Sequence, residues 1–163
     1  MSSKACPCGS NNTFAECCQP LLRGEQKANS PEQLMRSRYS AFYVGEIKHL
    51  LKTHHLSQHS KTQEQDLIRT VANTRWLGLT ILSTEGGTSE ADQGQVEFLA
   101  RYKVMQEIAL LHEKSRFVRE KGQWFYVDGT IDPRGSAPMS TPGRNELCWC
   151  NSGLKFKLCH CIL

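Results

Sequence analysis

An α+β fold, with helices packed on a curved antiparallel sheet, is predicted by the order in which hydrophobic periods follow one another. Helical spacing occupies residues 31–75, and period-two alternation occupies most of 77–130. A second observation concerns the ends. All eight cysteines lie within 6–18 and 148–161, with none between. A central domain flanked by two small cysteine motifs follows, and 163 residues are enough to give that domain its own core.

The elements follow in order. Residues 19–30 read as a connector, with Pro20, Gly24 and polar neighbours. Ser30-Pro31-Glu32 starts a helix: a capping hydroxyl, a proline at the first helical position, and an acid in the first turn. Leu34, Met35, Tyr39 and Phe42, then Ile47, Leu50 and Leu51, fit two amphipathic helices with Gly45 near their junction. A third helix is expected from Gln63 to about Arg75, with Leu67, Ile68 and Val71 inward. Leu77, Leu79 and Ile81 then alternate as a strand, and a loop runs from Glu85 to Gly94. Val96, Phe98, Ala100, Tyr102 and Val104 alternate cleanly. Residues 108–119 make a third strand, expected to be bulged, and Lys121-Gly122 turns the chain into a fourth over 123–130. Residues 132–142, rich in proline, glycine and serine, form a second connector. The expected division is 1–22, 30–132 and 143–163.

The two cysteine clusters are copies of each other. Shifted by 142 positions, CPCGSNNTFAECC falls on CWCNSGLKFKLCH. Cys6, Cys8, Cys17 and Cys18 meet Cys148, Cys150, Cys159 and His160; Ser10 meets Ser152, and Phe14 meets Phe156. A C-x-C turn presents two sulfurs at one point, and an eight-residue loop returns the second pair. Four thiolate or imidazole ligands in such a set suit a closed, tetrahedral structural Zn2+ site rather than a catalytic one with an open position. Two zinc ions are therefore expected. Ser10 and Ser152, with Gly9 and Gly153, suit turns whose N–H groups face the sulfurs, and Phe14 and Phe156 are expected to pack over the clusters. Cys161 is a surplus thiol able to compete with His160. Disulfides or free thiols are the alternative. No export signal precedes the first cluster, which points to a reducing, cytoplasmic compartment. Neither cluster has the C-x-x-C spacing of a disulfide oxidoreductase.

Both ends resemble the SEC-C motif, the metal-binding tail best known from the bacterial translocation motor. The first copy keeps the CPCGS start; the second keeps Gly143-Arg144-Asn145 and Ser152-Gly153, with Trp149 where proline is usual and Asn151 where glycine is usual. LMRSRYSAF at 34–42 and HEKSRFVREKGQWFYVDG at 112–129 resemble the middle domain of the YchJ family, which carries SEC-C motifs at both ends. The resemblance covers nearly the whole chain. It implies a bacterial protein with a cystatin-like or nuclear-transport-factor-like middle. It also implies SEC-C motifs that contact protein or nucleic acid without catalysing anything.

A central cavity is a further expectation from that fold, with Tyr39, His54, His55, Trp76, His112 and Asp128 as candidates for acid–base work or ligand contact. No spacing pairs a given histidine with a given aspartate; His54 and His55 read as exposed, and His112 as a structural histidine. Arg36 and Arg38 cannot share a helix face, and Arg38 is expected to pair with a strand carboxylate, Glu113 or Asp128. Arg36, Arg38, Arg116 and Arg119 otherwise offer an anion-binding rim.

The expected function is a non-enzymatic adapter whose motifs dock on a macromolecule. Trp149, Lys155, Phe156 and Lys157, with Arg144, are the candidate contacts. Stacking aromatics and cations admit nucleic acid as well as protein, and a formal charge of +4 does not decide between them. No apolar run approaches the length of a membrane span. The rivals are an enzyme or small-ligand binder using the central cavity, which could also make a dimer contact, and motifs that serve only as end-clamps.

Overall fold

The computed structural model describes residues 4–88, 90–133, 142–148 and 153–159. A short helix α1 (Gln19–Leu22) leads into α2 (Pro31–Val44), α3 (Ile47–Lys52), a single 3-10 turn at Leu56–Gln58, and α4 (Gln63–Asn73). Four strands follow, β1 (Thr74–Gly86), β2 (Gln93–Val104), β3 (Glu107–Glu120) and β4 (Gln123–Ile131), and then α5 (Phe156–Cys159). The strands form one antiparallel meander in the order β1-β2-β3-β4. Among the described residues no helix is long and apolar enough to cross a membrane.

Helix α2 is the axis of the molecule. Ser30 caps it by accepting a bond from the Gln33 N–H at 3.1 Å, Pro31 takes the first turn, and Gly45 ends it in the left-handed region at φ 82°. It is buried on more than one side. Leu34, Met35 and Tyr39 join Leu79, Val96, Phe98, Ala100, Phe117 and Trp124 in the main core. Ser37 and Ser40, both fully buried, face His49 and Cys6 instead.

The sheet owes its curvature to bulges, which increase local twist. In β1, Trp76 and Gly78 pair with the consecutive residues Tyr102 and Arg101, so Leu77 is extra. Leu77 therefore does not share a face with Leu79 and Ile81, contrary to the alternation; it leaves the main core for a second cluster with Cys148 and Phe156. The bulge expected in β3 lies opposite it, at Val127 of β4, between the pairs Arg116–Asp128 and Phe117–Tyr126. Helix α4 also departs from expectation: Leu67 and Val71 are half-buried, but Ile68 is exposed. The stretch 19–30, expected as a mere connector, contains α1 and contributes Leu21 and Ala28 to the core.

Gly94 shows how closely α2 approaches the sheet. A Cβ there would overlap the Pro31 ring and lie 3.1 Å from the Glu85 carbonyl oxygen. Gly94→Ala is expected to destabilise the chain by about 1–3 kcal/mol through overpacking, visible as a lower urea midpoint with an unchanged slope.

Candidate metal centre

The first cysteine motif is folded by its own backbone. Residues Ala5 and Thr13 form a bridge, the Cys6 N–H donates to the Asn12 carbonyl at 2.8 Å, and the Phe14 N–H donates to the Lys4 carbonyl at 2.9 Å. Gly9 and Asn11, at φ 74° and 65°, turn the chain between the two cysteine pairs. Cys17 and Cys18 immediately precede α1, whose Leu22 N–H bonds the Cys18 carbonyl at 3.0 Å.

This path brings the sulfurs of Cys6, Cys8, Cys17 and Cys18 within 4.8 Å of one another. Cys8 and Cys17 sulfurs are 3.7 Å apart, and those of Cys17 and Cys18 are 3.8 Å apart. A tetrahedron with metal–sulfur bonds near 2.3 Å has edges of about 3.8 Å. The separations therefore fit a shared metal ion, and Cys6, Cys8, Cys17 and Cys18 form no disulfide. Ser10 adds its hydroxyl, 3.2 Å from the Cys17 sulfur. Hydrogen bonds from the Cys18 and Cys6 thiols, with help from Ser10, pull the Cys8 thiol pKa far down. The same contacts with Cys6 and Cys8, together with burial, push Cys18 up.

The motif is set into the core. Cys8 is fully buried, Cys6 and Cys18 nearly so, and all three belong to the main core cluster, with Phe14 packed against it. From α2, the Arg36 Nη1 donates to the Cys8 carbonyl at 2.7 Å while its Nε binds Glu32 at 2.8 Å. The Ser40 hydroxyl sits 3.8 Å from the Cys6 sulfur. These two α2 contacts had no sequence signal beyond the helix itself.

The second motif repeats the first bond for bond where it is described. The bridge Leu147–Lys155, the 2.8 Å bond from the Cys148 N–H to the Leu154 carbonyl, and the 2.8 Å bond from the Phe156 N–H to the Glu146 carbonyl are the same interactions shifted by 142. Gly153, at φ 74°, stands where Asn11 stands. Cys148 is buried and Cys159 half-buried; Trp149, Cys150, Ser152, His160 and Cys161 lie outside the described residues. Phe156 is 8% exposed, packed with Leu77 and Cys148, so its ring supports the motif from inside and is not offered to a partner. Lys155 and Lys157 are exposed.

These motifs and the sheet match known family models: the YchJ middle NTF2-like domain over residues 30–129, and the SEC-C motif over both 3–20 and 144–160. A UPF0225 protein of Enterobacter sp. (strain 638) is 42% identical over 157 residues, covering 96% of this chain and 97% of that one. The chain belongs to the YchJ (UPF0225) family. Another family member, from Vibrio vulnificus (strain YJ016), is 40% identical over 164 residues, covering 95% and 97% of the two chains. A SEC-C motif containing protein from Rhodopseudomonas palustris, solved in solution, superposes with a TM-score of 0.72 at 30% identity, over 78% of this chain and 98% of its own. A crystal structure of a SEC-C motif containing protein from Psychrobacter arcticus gives 0.68 at 29% identity, over 97% and 96%. The YchJ assignment and the α+β, cystatin-like architecture with SEC-C motifs at its ends are thus as the sequence indicated.

The middle domain of this YchJ protein holds a cavity of about 450 Å3 between α2, α4 and the sheet. Tyr39, His54 and Trp76 line it, as do Arg38, Glu113 and Tyr126. His54 is thus half-buried and not a free surface group; it bonds Gln63, and burial beside Arg38 lowers its pKa to about 4. His55 bonds Ser57 and Glu120 outside the cavity. His112 lies on the opposite sheet face, 2.7 Å from Glu97 and 3.8 Å from Asp132. Asp128 pairs with Arg116, at 2.6 Å for one of two bonds. Among the described residues no carboxylate bonds a histidine within the cavity. Arg38 also departs from the expected scaffold pair. It bonds the Leu50 carbonyl at 2.9 Å and the Thr53 hydroxyl at 2.7 Å, and neither Glu113 nor Asp128 reaches it.

Proposed function

We propose that the chain is a non-enzymatic, zinc-binding adapter whose C-terminal SEC-C motif docks on an acidic, partly apolar protein surface. The N-terminal motif in this reading is a clamp that fastens α2. One comparison carries it. At positions related by 142, the first motif has Ala5, Asn12, Thr13, Ala15 and Glu16 where the second has Leu147, Leu154, Lys155, Lys157 and Leu158. The described backbone is the same, yet one surface is mostly small or polar while the other is leucine and lysine. Leu147, Leu154 and Leu158 are 70%, 48% and 65% exposed. Three exposed leucines on so small a unit, interleaved with cations, favour a protein partner, and Phe156, the motif's described aromatic, is turned inward instead of offered for stacking.

Two zinc ions complete the reading. Cys6, Cys8, Cys17 and Cys18 would hold one, and Cys148, Cys150, Cys159 and His160 the other, each as a closed set of four that leaves no position for substrate. Thiolate zinc sites belong with a reducing, cytoplasmic setting. The chain would divide at 1–22, 30–132 and 143–163.

The test uses the full chain as bait in a bacterial lysate. Leu154→Ser combined with Leu158→Ser should reduce capture of the protein partner by about 30-fold, the equivalent of two buried leucine anchors at about 1 kcal/mol each. Metal content, weighed by native mass spectrometry, should stay at two ions per chain. Capture of nucleic acid that ignores both leucines and falls steeply with salt would replace the protein partner.

A further inference from the structure

The cavity of the middle domain has two unlike ends. At one, Trp76 packs on Tyr39 and Phe42 with ring centroids 5.7 Å apart in each case, and Leu111 closes the wall. At the other, Arg38, Glu113, Tyr126 and His54 meet. Its volume of about 450 Å3 is that of a small-molecule site.

The polar end is built but incompletely satisfied. Arg38 is 5% exposed and lies 4.6 Å over the Tyr126 ring. Both of its hydrogen bonds to described residues leave from Nη1, and both go to neutral oxygens. The Nε and Nη2 donors make none among the described residues. Glu113 mirrors this. Its Oε1 accepts from the Ser115 hydroxyl at 2.7 Å and from Tyr126 at 3.4 Å, while Oε2 accepts nothing among the described residues. The carboxylate lies across Gly129, where a Cβ would collide with it, so the backbone has been left bare to admit it. Spare donors on a cation and a spare acceptor on an anion thus share the polar end and offset each other; Asp66, the other carboxylate of the lining, is exposed and pairs outward with Arg69 at 3.8 Å. His54 adds no charge near neutral pH, because burial and Arg38 hold its pKa at about 4.

We infer that this cavity binds a neutral small molecule with a flat apolar body and an amide-type head, the carbonyl received by Arg38 and the N–H by Glu113, the body lying among Tyr39, Phe42 and Trp76. An acid would face Glu113 and an amine would face Arg38, each with one like charge to oppose it in a partly dry site. A head offering both an acceptor and a donor meets both groups without that conflict.

The experiment titrates the full-length, metal-loaded chain with 2-naphthamide, 2-naphthoate and 2-naphthylmethylammonium, followed by 15N NMR. The amide should shift the Trp76 indole N–H and the Arg38 Nε–H, and should bind about 10-fold or more tightly than either ion. Glu113→Gln and Arg38→Lys should each weaken it by a similar factor. Leu111→Phe, which fills the apolar end without touching the polar groups, should abolish it, and His112→Gln on the other face should leave it unchanged. Tighter binding of the naphthoate would make the cavity an anion site and overturn the neutral head. Absence of shifts with all three compounds, in a chain whose spectrum stays dispersed, would overturn the site itself.

Discussion

Cys8→Ser should remove the metal proposed for the N-terminal motif and, with it, most of the chain's folding stability. Free energies of about 10–16 kcal/mol accompany zinc binding to small thiolate motifs, whereas an entire domain is stable by only about 5–15 kcal/mol. Loss of even a third of the former removes much of the latter. Position decides whether that loss stays local. Cys6, Cys8 and Cys18 are members of the main core, Leu21 and Phe14 lie beside them, and Arg36 and Ser40 tie the motif to the helix that carries Leu34, Met35 and Tyr39. The described part of the C-terminal motif, by contrast, meets the sheet in a smaller cluster, Leu77 and Ile108 against Cys148, Phe156 and Cys159. The matched variant Cys148→Ser should therefore lose one metal while shifting the urea midpoint of the middle domain little, by less than about 1 kcal/mol. Native mass spectrometry counts the metal, and far-UV circular dichroism against urea reads the core. Equal and small effects of the two variants would reduce the N-terminal motif to an appendage.

That asymmetry was hidden in a sequence whose ends look alike. The repeat by 142 disclosed both motifs, their turns and the pairing of their residues, because ligands and glycines are fixed by local geometry. Periodicity disclosed α2, α3 and the alternation of β2, where Val96, Phe98 and Ala100 meet one continuous core, although Val104 at the strand's end is exposed. It misplaced Leu77, because one bulged residue reverses the faces of all that precede it and leaves no mark in composition. Arg38 eluded pairing for a similar reason. Its partners, the Leu50 carbonyl and the Thr53 hydroxyl, come from the end of a different helix, and a backbone carbonyl carries no residue signature. The exposed leucines of the second motif were legible only after the fold showed that a unit of this size turns one aromatic inward, Phe156, and has no interior left for Leu147, Leu154 and Leu158.

Acidification supplies the second large effect, and His49 is its source. This histidine is 7% exposed; its Nε2 meets the Ser37 hydroxyl at 2.9 Å, and the Leu21 backbone lies near its ring. Burial first, then the charges of Arg38 and Lys52, lower its pKa from 6.5 to about 4. The folded chain therefore keeps His49 neutral where the unfolded chain protonates it. Between those two values the unfolded state binds more protons, so stability is full above pH 6.5 and is lost as pH falls toward 4. The whole window is worth about 3 kcal/mol, of which about 2 kcal/mol should be gone by about pH 5. His54 titrates in the same direction but is half exposed to the cavity, where solvent screening reduces its share. Acid also competes with metal for the thiolates, so the quantity that isolates His49 is a difference. Urea midpoints of the wild-type chain and of His49→Gln should converge as pH falls from 7 to about 5, the variant starting lower and losing less. Parallel loss in both chains would move the acid sensitivity to the metal site, and would leave His49 as a buried link between α1, α2 and α3 with no titration of its own in that range.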